Sequence, residues 1–243
     1  MTEHTHDTSS DAVFSSRGAV EVIPSLPAQT FAELEEKIGR VVGAVRTFQI
    51  DICDGMFVTN RTWPLNPGDR SGFERMVKGD DALPHWQDMD FEADLMVHTP
   101  EKLIPDLVKV GFIRALIHIE AKHDFAAVRA AAGESMELGV ALSPGTPIER
   151  IDAYIEHIGV IQLMGIAKIG AQGQPFDPRV LDMIRAVRAR YPRVTIEVDG
   201  SVNADTAPQL VEAGATRLAP GLYIFRAADP KAAAHALESL PTI

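Results

Sequence analysis

The chain has 243 residues, 34 acidic against 23 basic side chains for a net charge of −11, and a single cysteine. That balance supplies no basic field for a phosphate backbone or an anionic membrane, and one cysteine excludes a disulfide framework and a CxxC zinc site. Apolar runs are broken by charge before 18 residues and the opening MTEHTHDTSSDAVFSSR has no signal-peptide core, so a cytoplasmic globular protein with 46% apolar residues is expected, with neither nucleic acid nor membrane as partner.

Residues 1–18 read as a disordered tail that carries His4 and His6. From residue 19 to 243, short apolar runs alternate with amphipathic stretches. AVEVI (19–23) reads as the first strand and FAELEEKIGRVV (31–42) as the first helix, opened by Thr30 with Glu33 at capping-box spacing. RTFQIDI (46–52) follows as the second strand. After it comes one long loop, 59–90, rich in Pro, Gly and Asp and holding Trp63; loops of this length are functional lids or plain surface insertions. The later strands are FEADLMV (91–97), RALIHIE (114–120), ELGVALS (137–143), GVIQLMGI (159–166), RVTIEVD (193–199) and TRLAPG (216–221). Helical patterns follow them in turn: PEKLIPDLVKV, DFAAVRAAA, PIERIDAYIEHI, DPRVLDMIRAVRARY, NADTAPQLVEA and DPKAAAHALESL. Asp124, Asp177, Asn203 and Asp229 stand at helix starts, where short side chains accept orphan backbone N–H groups. Eight strand–helix units predict a single-domain α/β protein, a (β/α)8 TIM barrel over 19–243. A doubly wound open sheet is the rival, but no GxGxxG follows the first strand.

In such a barrel the chemistry sits at the C-terminal ends of the strands, and alternation along each strand sorts side chains by face. Gln49, Asp51 and Cys53 share one face of the second strand, and Asp94, Met96 and His98 share one of the third. His118 pairs with Glu120 on the fourth, and Glu197 with Asp199 on the seventh. Asp51, Asp94 and Asp199 can therefore converge on one mouth, where three carboxylates would repel unless a divalent cation neutralises them or one holds a proton. Two aspartates facing each other across a substrate suit removal of a proton from one face and delivery to the other, which inverts a carbon. GAQGQPF (170–176), DGSV (199–202) and APGLYIF (219–225) each expose backbone N–H groups near a helix start, as phosphate sites do. His118 and Glu120 read as packing and supporting groups, and His98 and the tail histidines as solvated.

These pieces resemble the ribulose-phosphate 3-epimerase family of TIM barrels. The resemblance is carried in order by IPSLPAQTFAEL (23–34), QIDICDGMFVTN (49–60), ADLMVHTPE (93–101), HIEA (118–121), ALSPGTPIERI (141–151), QLMGIAKIGAQGQPF (162–176), EVDGSV (197–202) and GLYIF (221–225). It implies an isomerase in which Asp51 and Asp199 exchange protons with the carbon beside a ketose-phosphate carbonyl, through a metal-stabilised enediolate. It also implies Ser25 near the substrate, a cap lined by Cys53, Met96 and Met164, and a homo-oligomer. The family's two metal-binding histidines are replaced here by Gln49 and Asp94, so the implied ligand set is Gln49, Asp51, Asp94 and Asp199. Oxygen donors favour Mg²⁺ or Mn²⁺, whereas the family pattern favours Zn or Fe. The implied phosphate contacts are Gly170, Gln172, Gly173, Gly200, Ser201, Gly221 and Leu222, in loops altered from the family pattern. Two other functions compete: a Schiff-base aldolase using Lys168, which also counts among the expected substrate contacts, and a non-catalytic metabolite-binding barrel.

Overall fold

The computed structural model describes residues 20–241; the expected tail, with His4 and His6, lies outside them. Nine parallel strands form one sheet: β1 (Glu21–Val22), β2 (Ser25–Leu26), β3 (Thr47–Cys53), β4 (Asp90–Met96), β5 (Arg114–His118), β6 (Glu137–Leu142), β7 (Val160–Met164), β8 (Thr195–Asp199) and β9 (Arg217–Ala219). β1 and β2 are two halves of one stave, parted at Pro24, which has no N–H to offer a ladder. β1 pairs with β9 and β2 pairs with β3, so this divided stave closes the barrel. Two bonds mark the seam: Ile23 N donates to Leu218 O at 2.8 Å and Gln49 N donates to Pro24 O at 2.9 Å.

Among the described residues, eight α-helices accompany the strands: α1 (Phe31–Val41), α2 (Arg70–Lys78), α3 (Ile104–Val110), α4 (Phe125–Ala132), α5 (Arg179–Arg190), α6 (Ala207–Ala213), α7 (Leu222–Arg226) and α8 (Pro230–Glu238). The expected caps are in place. Thr30 Oγ1 accepts from Glu33 N at 3.1 Å, and Glu33 reaches back to Gln29 N at 2.7 Å. Asp124 and Asp229 accept from Ala127 N and Ala232 N. Asn203 and Asp177 instead close the turns that lead into α6 and α5.

Two expectations change. The long connection 59–90 contains α2, whose buried face is only Phe73 and Met76, too short an apolar stripe to register as a helix in the sequence. PIERIDAYIEHI, expected as an α-helix, forms two 3₁₀ segments, Ile148–Ala153 and Ile155–His157. Ile148, Ile151 and Tyr154 recur every three residues, which suits three residues per turn.

Outward-facing Phe48, Ile50, Ile52, Phe91, Leu95, Ile117, Val140, Ile161 and Val198 pack with the helices in one apolar cluster. The lumen is different. Gln49, Glu92, Arg114, Gln162 and Glu197 are all buried there. Arg114 bridges Glu92 and Glu137, its guanidinium meeting both carboxylates. Burial and the neighbouring Glu92 push the Glu197 carboxyl well above the usual range. This polar floor lies below the strand ends and supports what sits above.

Candidate active site

Asp51 on β3 and Asp94 on β4 are register partners, and Asp199 ends β8. Parity turns all three inward, and one oxygen from each lies within 4.8 Å of the others. Their exposures are 5%, 0% and 7%. Three protein donors surround them. Ser25 Oγ donates to Asp199 Oδ1 at 3.2 Å; Gln49 Nε2 donates to Asp51 Oδ1 at 2.9 Å and reaches Asp199 Oδ2 at 3.4 Å; His118 Nε2 meets Asp94 Oδ1 at 3.0 Å.

This crowding sets the protonation. Burial, then the charges of Asp199 and Asp94, holds the Asp51 carboxyl well above its ordinary range. Burial and the Asp94 charge push Asp199 up to about 7, against the pull of the Ser25 hydrogen bond. Burial pulls the His118 imidazole down, but Asp94 and Glu120 outweigh it and hold it at about 10. Burial pushes Glu120 up, but His118, Thr146 and the Ser143 N–H together overcome it and bring the carboxyl down to about 2. His118 is thus an imidazolium between two carboxylates.

The cluster fits a divalent cation. It concentrates negative charge where burial penalises it, and Asp94 Oδ2 is buried with no hydrogen-bond partner. Asp51, Asp94 and Asp199 can hold such an ion. Gln49 gives its Nε2 donor to Asp51 and Asp199 and keeps its buried Oε1 without a partner.

A cavity of about 470 Å³ opens beside the cluster, lined by Ser25, Asp51, Met96, Met164, Ile166 and Asp199. The loops after β7, β8 and β9 line it as well. Gly170, Gln172, Gly173, Gly200, Ser201, Gly221 and Leu222, the seven expected phosphate contacts, all line it. Gly200 has φ +104, and Ser201 follows it at φ +56, so the loop after β8 bends through the left-handed region at two successive residues. A Cβ on Gly221 would stand 2.4 Å from Gln172 Nε2 and 3.1 Å from Ser25 O, so glycine there permits a close approach of the two loops. The short α7 begins directly after it, as an extra helix at this place in a barrel does.

Three expected residues fall elsewhere. Cys53 is fully buried, lies outside the cavity lining, and has its thiol pushed up by burial and by Asp51, so it is no substrate cap. Lys168 is exposed and also outside the lining, so the buried setting required for Schiff-base chemistry is missing. Trp63 does not cover the mouth but is packed between Phe31 and Phe73, with ring centroids 5.9 and 5.6 Å away. His98 is half-buried and engages Asp54 through its backbone N–H. Asn203, expected only at a helix start, lines the cavity, and so do Tyr223 and Arg226, which the sequence reading passes over. Arg226 carries a readable signal, since it lies one helical turn from Leu222.

The sequence pattern of the "Ribulose-phosphate 3 epimerase family" matches residues 21–225. The chain belongs to the ribulose-phosphate 3-epimerase family. With this family comes the enzyme class, a carbohydrate-phosphate epimerase. Among its relatives, the ribulose-phosphate 3-epimerase of Mycobacterium bovis is 31% identical over 91% of this chain and 93% of its own. That of Schizosaccharomyces pombe is 30% identical over 87% and 89%. A rice relative, 30% identical over 87% and 90%, is named a cytoplasmic isoform. The barrel also resembles KGPDC from Streptococcus mutans (TM-score 0.65, 13% identity, 91% of this chain and 96% of that one). The 3-hexulose-6-phosphate synthase of Salmonella typhimurium is similar in fold too (TM-score 0.64, 15% identity, 90% and 96%). Among the described residues of this epimerase, no helix is long and apolar enough to cross a membrane.

Proposed function

We propose that the chain inverts the carbon next to the carbonyl of a ketose phosphate, with Asp51 and Asp199 as the proton-transfer pair. The observation that carries this reading is that both aspartates and the three loops suited to phosphate line one cavity. A phosphosugar anchored by backbone N–H groups of those loops would extend toward the aspartates. In each direction of a reversible epimerisation, one carboxylate accepts a proton from one face of the carbon and the other carboxylic acid returns a proton to the opposite face. Asp199, pushed up to about 7, sits near neutral pH, where general acids and bases work best, and Asp51 is raised in the same direction. Ser25 holds Asp199 Oδ1 and Gln49 holds Asp51 Oδ1, so neither carboxyl is free to turn away from the substrate. Met96 and Met164 give the cavity an apolar wall that limits water. A divalent cation bound by Asp51, Asp94 and Asp199 would supply charge stabilisation for the enediolate oxygens. With three oxygen donors and no imidazole among them, Mg²⁺ or Mn²⁺ suits the cluster better than Zn²⁺ or Fe²⁺. A cytoplasmic, homo-oligomeric enzyme completes this reading.

The test is deuterium incorporation from D₂O into ribulose 5-phosphate and other ketose phosphates, followed by NMR. Wild type should exchange the proton at the inverted carbon of one of them, and Asp51→Asn should slow that exchange by about 10²- to 10⁴-fold while remaining folded. An Asp51→Asn protein that exchanges at the wild-type rate, or a wild type that exchanges none of them, would sink the proposal.

A further inference from the structure

Each of the three aspartates already gives at least one oxygen to a protein donor, and Asp199 Oδ2 also lies 3.4 Å from Gln49 Nε2. Asp94 Oδ1 faces His118 Nε2 at 3.0 Å, Asp199 Oδ1 accepts from Ser25 Oγ at 3.2 Å, and Asp51 Oδ1 accepts from Gln49 Nε2 at 2.9 Å. The donors come from three separate strands, β5, β2 and β3, and all are buried. The Asp94 pair is the most tightly built. His118 has Glu120 Oε2 3.8 Å from its Nδ1, and Glu120 is itself held by Ser143 N and Thr146 Oγ1. The Phe57 ring covers the imidazole, with centroids 5.3 Å apart. The imidazole therefore cannot swing away, and the oxygen of Asp94 left over is Oδ2, buried and unpartnered.

A carboxylate oxygen that accepts such a hydrogen bond keeps one lone pair fewer and its orientation is fixed, which disfavours coordination of one cation by both oxygens. Mg²⁺ is content with one or two carboxylate oxygens and completes its shell with water and substrate oxygens. Ca²⁺ takes six to eight oxygens and commonly draws both from a carboxylate. We propose that His118, together with Ser25 and Gln49, is a positioning residue that disfavours two-oxygen coordination by the aspartates and so makes the cluster select small divalent cations over Ca²⁺. The inference rests on the reading that the cluster holds a divalent metal, and it concerns residues that act on the metal through the aspartates.

Binding of Mn²⁺ to the full-length protein, read from the free-ion EPR signal without turnover, tests it, with Ca²⁺ and Mg²⁺ as competitors. Wild type should bind one Mn²⁺ per chain, and Ca²⁺ should compete at least about tenfold more weakly than Mg²⁺. His118→Leu frees Asp94 Oδ1 and should reduce that discrimination severalfold, while His118→Gln, which keeps an N–H donor, should restore much of it. Ser25→Ala, which frees Asp199 Oδ1 and removes only a hydroxyl, should shift the ratio in the same direction and serves if His118→Leu does not fold. Mn²⁺ binding with the Ca²⁺/Mg²⁺ ratio unchanged in the folded variants overturns this inference alone. A wild type that binds no Mn²⁺ overturns the metal reading and this inference with it.

Discussion

Replacing Asp199 by Asn should stabilise the metal-free protein at alkaline pH while abolishing turnover. Burial and the Asp94 charge raise the Asp199 pKa from 3.8 to about 7. A carboxyl raised in this way keeps its proton in the folded state over a range where the unfolded chain has lost it. Below about pH 4 both states are protonated and the group contributes nothing. Between about pH 4 and 7 the folded state binds more protons, so stability falls as pH rises; above about pH 7 the loss is complete and constant. Three pKa units at about 1.4 kcal/mol each amount to roughly 4 kcal/mol. D199N keeps a carbonyl oxygen for Ser25 Oγ but carries no charge, so this loss is absent in it. The assay is the thermal midpoint of chelator-treated wild type and D199N by circular dichroism, from about pH 4 to about pH 9. The gap between them should open by roughly 8–16 °C across that range, at about 2–4 °C per kcal/mol for a chain of this size, and then stay constant. Glu197 is raised in the same direction and is present in both proteins, so it cancels in the difference; Asp51 is raised partly by the Asp199 charge, so the gap reports Asp199 together with its coupling to Asp51. Added Mg²⁺ or Mn²⁺ should narrow the gap at high pH, because a cation offsets the charge that the wild type cannot otherwise relieve. Parallel stability curves for the two proteins would refute the reasoning.

Gly221→Ala should raise KM for the phosphosugar by about tenfold or more with a smaller effect on kcat, since its Cβ would collide with Gln172 Nε2, where two of the loops proposed to hold the phosphate meet. Steady-state kinetics checks this, and an unchanged KM would show that these loops do not hold the substrate. Trp63→Ala should cost about 3–5 kcal/mol in denaturant unfolding, because it empties a fully buried ring position between Phe31 and Phe73. If it instead changed KM at unaltered stability, the loop would be acting on substrate and not as packing.

Much of this molecule can be read from its residues because two periodicities are strong. Alternating strands and capped helices give the barrel, and strand parity alone places Asp51, Asp94 and Asp199 on one face of the sheet. The three glycine-containing loops stand out because they follow consecutive strands, and all of them line the cavity. Parity says which face a side chain takes, but not how far up the barrel it lies or which atom it presents. That is why Cys53 shares the face of Asp51 yet lies sealed beside the cavity, and why Gln49, expected as a ligand, is also a donor to the aspartates. Lys168, in the loop beyond the end of β7, has nothing in its sequence neighbourhood to keep it out of solvent. His118 is visible in the sequence only as a histidine facing inward. Its role follows from the register of β4 and β5, which brings the ring to Asp94, and from Glu120, Ser143 and Thr146 behind it. Local periodicity thus settles the fold, the face and the candidate acids. The stagger of the closed barrel settles which oxygens meet which donors, because those contacts join strands far apart in the chain.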